Sequence, residues 1–365
     1  MSFDLAIIGG GPAGCAAAIV AAKSGARVLL LDRSRFPRQK VCGEFVSAES
    51  LGLLQLLLAD DFQYLLSKSP RISRTRIFLD GSMLEAAINP PAASIARFDL
   101  DSALWQSCCE AGVEAHAETT VKSIEGSGLF RIVAGDQVFE SKSVINASGR
   151  WSSFTSREVR ARSTDQKWIG IKAHYYEIAA ASSVDLYFVD GGYCGVQPVA
   201  AAHNGSSTRI NSCAMVRADV ANSLPEVLRL NPALRERSYS WTPVTETVTT
   251  SPLIFHQPEP VQNGMLQVGD AAAFVDPFVG DGISLALRSG ALASECLHSF
   301  LQGRCSLEEA SMRYAQAYTQ RLSRVFKVSS LLRGWLRWPR AVRKPMFSLI
   351  SRTPFVGRQI VNLTR

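Results

Sequence analysis

The chain has 365 residues, 47% of them hydrophobic, which is enough for a two-domain protein with a substantial core and too apolar for a disordered chain. Its formal charge of +7 is lopsided: residues 310–365 hold 12 Lys/Arg and no Asp/Glu, leaving 27 Lys/Arg against 32 Asp/Glu in residues 1–309. The surplus is therefore a property of the tail, and with no basic stripe interleaved with aromatics elsewhere, composition argues against a nucleic-acid-binding protein.

Residues 3–8, FDLAII, predict a short buried strand, followed at once by GGGPAG and an alanine-rich helix through Ala22. Gly9, Gly11 and Gly14 fit G-x-G-x-x-G, with Pro12 and Ala13 between the last two glycines. The first glycine permits a tight turn, the second lets a pyrophosphate approach the backbone, and the third lets helix and strand pack closely. Free N–H groups and the dipole at the helix start favour the anion. A second strand, ARVLLLD, ends at Asp32 beside Arg33, about 20 residues on, where a carboxylate can accept from a ribose diol and disfavours a 2′-phosphate.

The segment RQKVCGEFVS, residues 38–47, follows, and Cys42 in it is either a redox thiol or a small residue packed where a larger one does not fit. RIFLDGSMLEAAI at 76–88 predicts a hairpin. SIARFDLDSALW then carries Arg97, Asp101 and Leu104 in an Arg-x-x-x-Asp-x-x-Leu pattern ahead of a helix, and SVINASGR at 143–150 ends a later strand. Between 165 and 255, stretches such as KWIGIKAHYYEI and TRINSCAMV alternate apolar and polar residues and predict antiparallel strands. Trp168, His174, Tyr175, Tyr187 and Tyr193 are candidates there for lining a pocket.

GMLQVGDAAAFVDPFVGDGISLALRSG, residues 264–290, reads as a strand ending at Gly269-Asp270, a turn containing Pro277, Gly280 and Asp281, and a helix from about Gly282 and Ile283. A carboxylate at Asp270 can accept from the hydroxyls of a sugar or polyol chain, and a helix N-terminus can stabilise negative charge on a bound group. The tail has helical spacing from about Ser306, then a basic amphipathic pattern that the prolines at 339 and 345 are expected to break. It packs on the body, or touches anionic lipid or an acidic partner.

The eight cysteines show no CxxC pair and no Cys/His cluster of zinc spacing, so no metal site is expected. No apolar run is long and unbroken enough to span a bilayer and no cleavable leader is visible, so the expectation is a cytoplasmic protein, peripheral at the membrane at most.

The glycine turn and the 264–290 segment together resemble the two flavin motifs of the para-hydroxybenzoate hydroxylase superfamily, and within it the group of geranylgeranyl reductases and flavin-dependent monooxygenases and halogenases. The resemblance covers about residues 3–50, 95–150 and 262–300. Lys40, Cys42 and Gly43 match the Lys-x-Cys-Gly segment of the reductases, which runs beside the flavin ring, whereas Glu44 matches the Gly-Glu pair of halogenases and related monooxygenases. The halogenase Trp-x-Trp-x-Ile-Pro motif is missing, since WLRWPR at 335–340 has other spacing.

The resemblance implies an α/β (α+β) protein: a Rossmann-like FAD-binding domain with an inserted antiparallel β-sheet substrate domain and a C-terminal helical region. The expected boundaries are 1–75, 95–160 and 256–305 for the FAD domain, 76–94 and 161–255 for the sheet domain, and 306–365 for the basic helical region. FAD is the implied cofactor and NAD(P)H the electron donor. The expected FAD contacts are Gly9, Gly11, Pro12, Ala13, Gly14, Asp32, Arg33, Cys42, Gly43, Arg97, Gly269, Asp270, Pro277, Gly280, Asp281, Gly282 and Ile283. Cys42 and Glu44 are the candidates for a direct chemical role.

The expected activity is a monooxygenase or ene-reductase acting on a hydrophobic small molecule such as a polyketide, prenyl or lipid-like secondary metabolite. The alternatives are a halogenase-like or carrier-protein-dependent oxidase, its basic tail meeting an acidic carrier, and a non-catalytic FAD electron carrier or docking module.

Overall fold

The computed structural model describes residues 2–150, 167–203 and 207–351. Leu5–Ile8 and Val28–Leu31 are buried at every position, as continuous apolar runs are when both faces of a parallel sheet are covered. They pair in parallel, Leu5 opposite Val28 and Ile8 opposite Leu31. The six-stranded sheet runs Val261–Gln262, Met265–Gln267, Val144–Asn146, Leu5–Ile8, Val28–Leu31, Glu114–His116. The SVINASGR strand therefore sits beside the first strand, with the strand leading to Gly269-Asp270 on its other side.

Three helices cover this sheet. Pro12–Lys23 is almost all small residues, and its face lies against Gly282–Leu301 at backbone distance: a Cβ on Gly290 would come 2.0 Å from the Ala13 carbonyl oxygen. The third, Leu307–Leu336, starts with a reciprocal cap in which Ser306 Oγ accepts from Glu309 N and the Glu309 carboxylate accepts from Ser306 N. Its Ala310, Tyr314, Tyr318, Leu322 and Val325, spaced by three and four, enter the main core. Each large side chain buried this way contributes about 1.5–3 kcal/mol, and the Tyr314 hydroxyl donates to Gln267 O at 2.7 Å.

A second sheet of nine strands forms the other half of the molecule. Its centre is the antiparallel run of Trp168–Ile178, Ser207–Arg217, Gly192–His203 and Ser183–Val189. The 76–88 hairpin is longer than its sequence signal, Arg71–Leu79 and Ser82–Ser94, and joins Ser183–Val189 in parallel. Phe45–Val46, just after Cys42, pairs on the far side of that hairpin, so the chain crosses from one sheet to the other beside the cysteine.

Alternation along these strands sorts the aromatic residues. Tyr175 and Tyr187 face outward into a cluster with Trp241 under helices Leu224–Leu230 and Pro232–Ser238. They line neither of the two cavities between the sheets and the tail, because the residues one position away, His174 and Leu186, take the inner face.

The tail forms helices Leu307–Leu336 and Arg340–Ser351, separated near Pro339 as expected. Pro345, however, lies inside the last helix and does not break it. Buried Arg343 and Phe347 anchor the helix on either side of it: Arg343 donates to Asp80, to Asp190 and to Leu336 O, and Phe347 packs with Leu79 and Leu84. The tail arginines at 352, 358 and 365 lie outside the described residues.

Candidate active site

A cavity of about 530 Å³ runs between the two sheets. Asp32, Arg33 and Ser34 line one end, Gly9, Gly11, Pro12 and Ala13 the middle, and Cys42, Gly43, Gly269, Asp270, Pro277, Gly280, Gly282 and Ile283 the remainder, with Arg97 along the wall. All the expected contacts except Gly14 and Asp281 line it. Gly14 serves packing instead: a Cβ there would fall 1.8 Å from Gly9 O. Gly9 has φ +112 and its Cβ would meet Ala147 O at 2.3 Å, so no side chain fits this turn.

Two of the helices that begin at this cavity, those at Pro12 and Gly282, have no side-chain cap and no acidic residue in the first turn. Their first N–H groups are left to an anion or an electron-rich ring edge. Arg38, Lys40 and Arg97 also converge on the wall. Burial, then the neighbouring Arg38 and Arg97, push the Lys40 ammonium down to about 8, as expected where clustered cations are built to meet an anionic group.

Asp32 is 6% exposed and accepts from Gly10 N at 2.7 Å, Ser34 N at 2.7 Å and Arg38 at 2.7 Å. Arg38 also reaches Asp101, which Arg97 holds one helical turn away. Asp270 stands just past the strand Met265–Gln267 with Arg150 at 3.5 Å, and Arg150 lies over the Phe274 ring. An elongated cavity with two uncapped helix starts, the cations Arg33, Arg38, Lys40, Arg97 and Arg150, and carboxylates at Asp32 and Asp270 fits a dinucleotide carrying a diphosphate, sugar hydroxyls and a ring system.

The Cys42–Phe45 segment forms a partition. Cys42 Sγ accepts from Glu44 N at 3.3 Å and lies against Arg97, and its carbonyl accepts from Asn211 at 2.9 Å. Glu44 adopts φ 63, an unusual backbone for a residue with a side chain. Its carboxylate is fully buried and fully used: Lys172 Nζ donates to one oxygen along with Arg97 N at 2.8 Å, and His174 Nε2 sits 2.8 Å from the other. These partners hold Glu44 ionised and its carboxyl below the usual range against the cost of burial. Lys172 had no place among the expected site residues; its one sequence signal is a lysine inside the apolar alternation WIGIKAHYY.

Beyond the partition lies a second cavity of about 410 Å³. Gly43, Phe45, Tyr193, Cys213, Pro277 and Gly280 line both cavities, so the two share a wall. Thr75, Ile77, Leu84, Val184, Leu186 and Phe188 of the large sheet floor the second one, and Leu332, Trp335, Met346 and Phe347 of the tail helices roof it. Of the five aromatic and histidine candidates, Tyr193 lines both cavities, Trp168 packs next to it, and His174 serves Glu44.

Residues 4–150 match the family described as FAD dependent oxidoreductase. The chain is an FAD-dependent oxidoreductase. Along 93% of its length it is 25% identical to a menaquinone reductase of Mycobacterium tuberculosis, covering 85% of that protein. It is 26% identical to digeranylgeranylglycerophospholipid reductase 2 of Methanopyrus kandleri, over 90% of this chain and 85% of that one. In structure it matches a flavin-dependent brominase with a TM-score of 0.79 at 20% identity, covering 100% of this chain and 93% of the other. These similarities agree with the expected mixed α/β, Rossmann-type flavoprotein fold. Among the described residues no helix is long and apolar enough to cross a membrane, no group of three or more His, Cys, Asp and Glu is placed to hold a metal ion, and every cysteine is a free thiol.

Proposed function

We propose that this oxidoreductase transforms a hydrophobic small molecule of polyketide, prenyl or lipid-like character, by ene-reduction or monooxygenation, with NAD(P)H as electron donor. The observation that carries this reading is the second cavity: an apolar chamber sharing the Gly43, Phe45, Tyr193 and Gly280 wall with the dinucleotide cavity. A bound apolar chain is desolvated there and held against the shared wall, which is where proximity lowers a barrier.

Asp32 holds the adenosine ribose, the Pro12 helix start with Arg38, Lys40 and Arg97 takes the diphosphate, and Asp270 accepts from the ribityl hydroxyls. The Gly282 helix start stabilises charge at the ring edge. When bound, FAD supplies the electron-pair chemistry. Glu44, tied to Lys172 and His174, keeps the Cys42–Phe45 partition in place, and its own carboxylate is not free for acid–base work on a substrate. Cys42 acts as packing for the ring, its sulfur occupied by Glu44 N and Arg97.

Two of the similar proteins are named as reductases of isoprenoid compounds, which supports an apolar substrate. An electron carrier has no use for a chamber of this size beside the flavin, and the missing Trp-x-Trp-x-Ile-Pro motif weighs against the halogenase reading. The test is to reduce the enzyme anaerobically and add geraniol-type, polyene and alkylphenol compounds. Flavin reoxidation by the compound alone identifies an ene-reductase, and a hydroxylated or epoxidised product only after oxygen enters identifies a monooxygenase. Turnover of small polar acids with none of the apolar compounds would refute the proposal.

A further inference from the structure

The roof of the apolar cavity has two sides. Inward, Leu332, Trp335, Met346 and Phe347 close the chamber. Outward, the same two helices and the turn between them are basic and apolar at once: Leu331 is 75% exposed, Trp338 48% and Val342 51%, and Arg324, Lys327, Arg337 and Lys344 are exposed around them. Arg324, Lys327 and Leu331, spaced by three and four, share one face of the long helix. No acidic residue occurs anywhere from 310 to 365 to neutralise these charges from within the tail.

Not all tail arginines belong to this surface. Arg333 is held by Asp276 at 2.7 Å and Arg343 by Asp80 at 2.7 Å, so both are spent on fixing the helices to the body. What remains outward combines an amphipathic tryptophan, aliphatic side chains and uncompensated cations, the set that settles at the headgroup level of an anionic bilayer. An acidic protein partner needs the cations alone and gives no reason to expose Leu331, Trp338 and Val342 beside them.

We propose that the outward face of these two helices docks on an anionic lipid surface, so that an apolar substrate passes from the bilayer under the roof into the cavity. This rests on the apolar-substrate reading above. The cations supply long-range attraction that salt screens, and Trp338 and its neighbours supply the shallow insertion.

The experiment is co-sedimentation of the full-length, FAD-loaded protein with vesicles of phosphatidylcholine alone or mixed with phosphatidylglycerol, at low and high salt. The expected result is binding to the mixed vesicles only, lost at high salt. The exposed pair Arg337→Glu and Lys344→Glu lowers partitioning about a hundredfold and Leu331→Ala with Trp338→Ala about tenfold, each with an unchanged melting temperature and flavin content. Equal binding to both vesicle types, binding unaffected by these variants, or capture by an acidic acyl carrier protein without vesicle binding overturns the proposal. Geraniol, added without vesicles, is followed by its effect on the flavin spectrum. A clear response with no vesicle binding removes the docking face and leaves the cavity reading intact. Vesicle binding with no response to any apolar compound supports the face and removes the cavity reading.

Discussion

Lys172 and Glu44 form an ion pair whose side chains are 1% and 0% exposed, although 128 positions separate them in the chain. The pair bridges the large sheet to the partition beside the flavin cavity, and His174 closes the second carboxylate oxygen. Removing one partner strands a buried charge, which costs about 3–5 kcal/mol. Glu44→Gln therefore lowers unfolding stability by that order and releases FAD. Combining it with Lys172→Met restores part of the loss, because neither charge is then unpaired. Denaturant unfolding of both variants checks this, and strictly additive losses in the double variant would count against the coupling.

Lys40 gives a pH dependence. Its ammonium is pushed down to about 8 by burial and by Arg38 and Arg97, against an ordinary value of 10.5. A diphosphate favours the protonated form, so FAD binding is strongest below pH 8 and weakens as pH rises past it. Dissociation constants measured by flavin fluorescence between pH 7 and 9.5 show this decline in the wild type. In Lys40→Met they are weaker throughout and nearly flat.

Asp281 acts in the opposite part of the pH range. Burial raises its carboxyl from 3.8 to about 6. The folded state thus keeps a proton that the unfolded chain has released, and its contribution, fully present below pH 4, is lost as pH climbs through 6. Asp281→Asn removes this loss, on the order of 2–3 kcal/mol at pH 8. Asp276, raised to about 6 by its own burial against the pull of Arg333, retains the same slope in both proteins. Unfolding curves at pH 5 and pH 8 separate the two: the gap between wild type and variant widens at the higher pH.

Gly290→Ala tests the contact between the two helices that open on the cavity. The added Cβ would lie 2.0 Å from Ala13 O, and its three nearest atoms all belong to the Ala13 backbone. The helices must separate, costing about 1–3 kcal/mol. Because Pro12 and Gly282 start those helices, flavin content falls along with melting temperature, whereas Gly52→Ala, in the helix Ala48–Leu58, meets no atom within 4 Å and leaves flavin content intact.

The parts of the site legible in the sequence are those where spacing along the chain carries the geometry. GGGPAG and GD with PFVGDGI are local turns into helices, and all but two of the residues they supplied line the cavity. Lys172 was hidden because its role depends on a partner far away in sequence, and because an isolated lysine in an alternating strand reads as a solvent-facing position. Tyr175 and Tyr187 are sheet-face core residues rather than cavity lining, and sequence does not separate the two cases, because a strand shows its period but not which face is inward until register with its neighbours is known. The tail was read as basic and amphipathic, yet which arginines are free depends on Asp80, Asp190 and Asp276, residues outside the tail.

The most direct test of the account is a titration of the FAD-loaded enzyme with a length series of prenyl alcohols and alkylphenols, against para-hydroxybenzoate, followed by the flavin absorbance spectrum. The apolar compounds give a saturable spectral shift that tightens with chain length and is lost first for the longest chains in a cavity-filling variant such as Val184→Trp. A shift with para-hydroxybenzoate and none with any apolar compound would contradict the account.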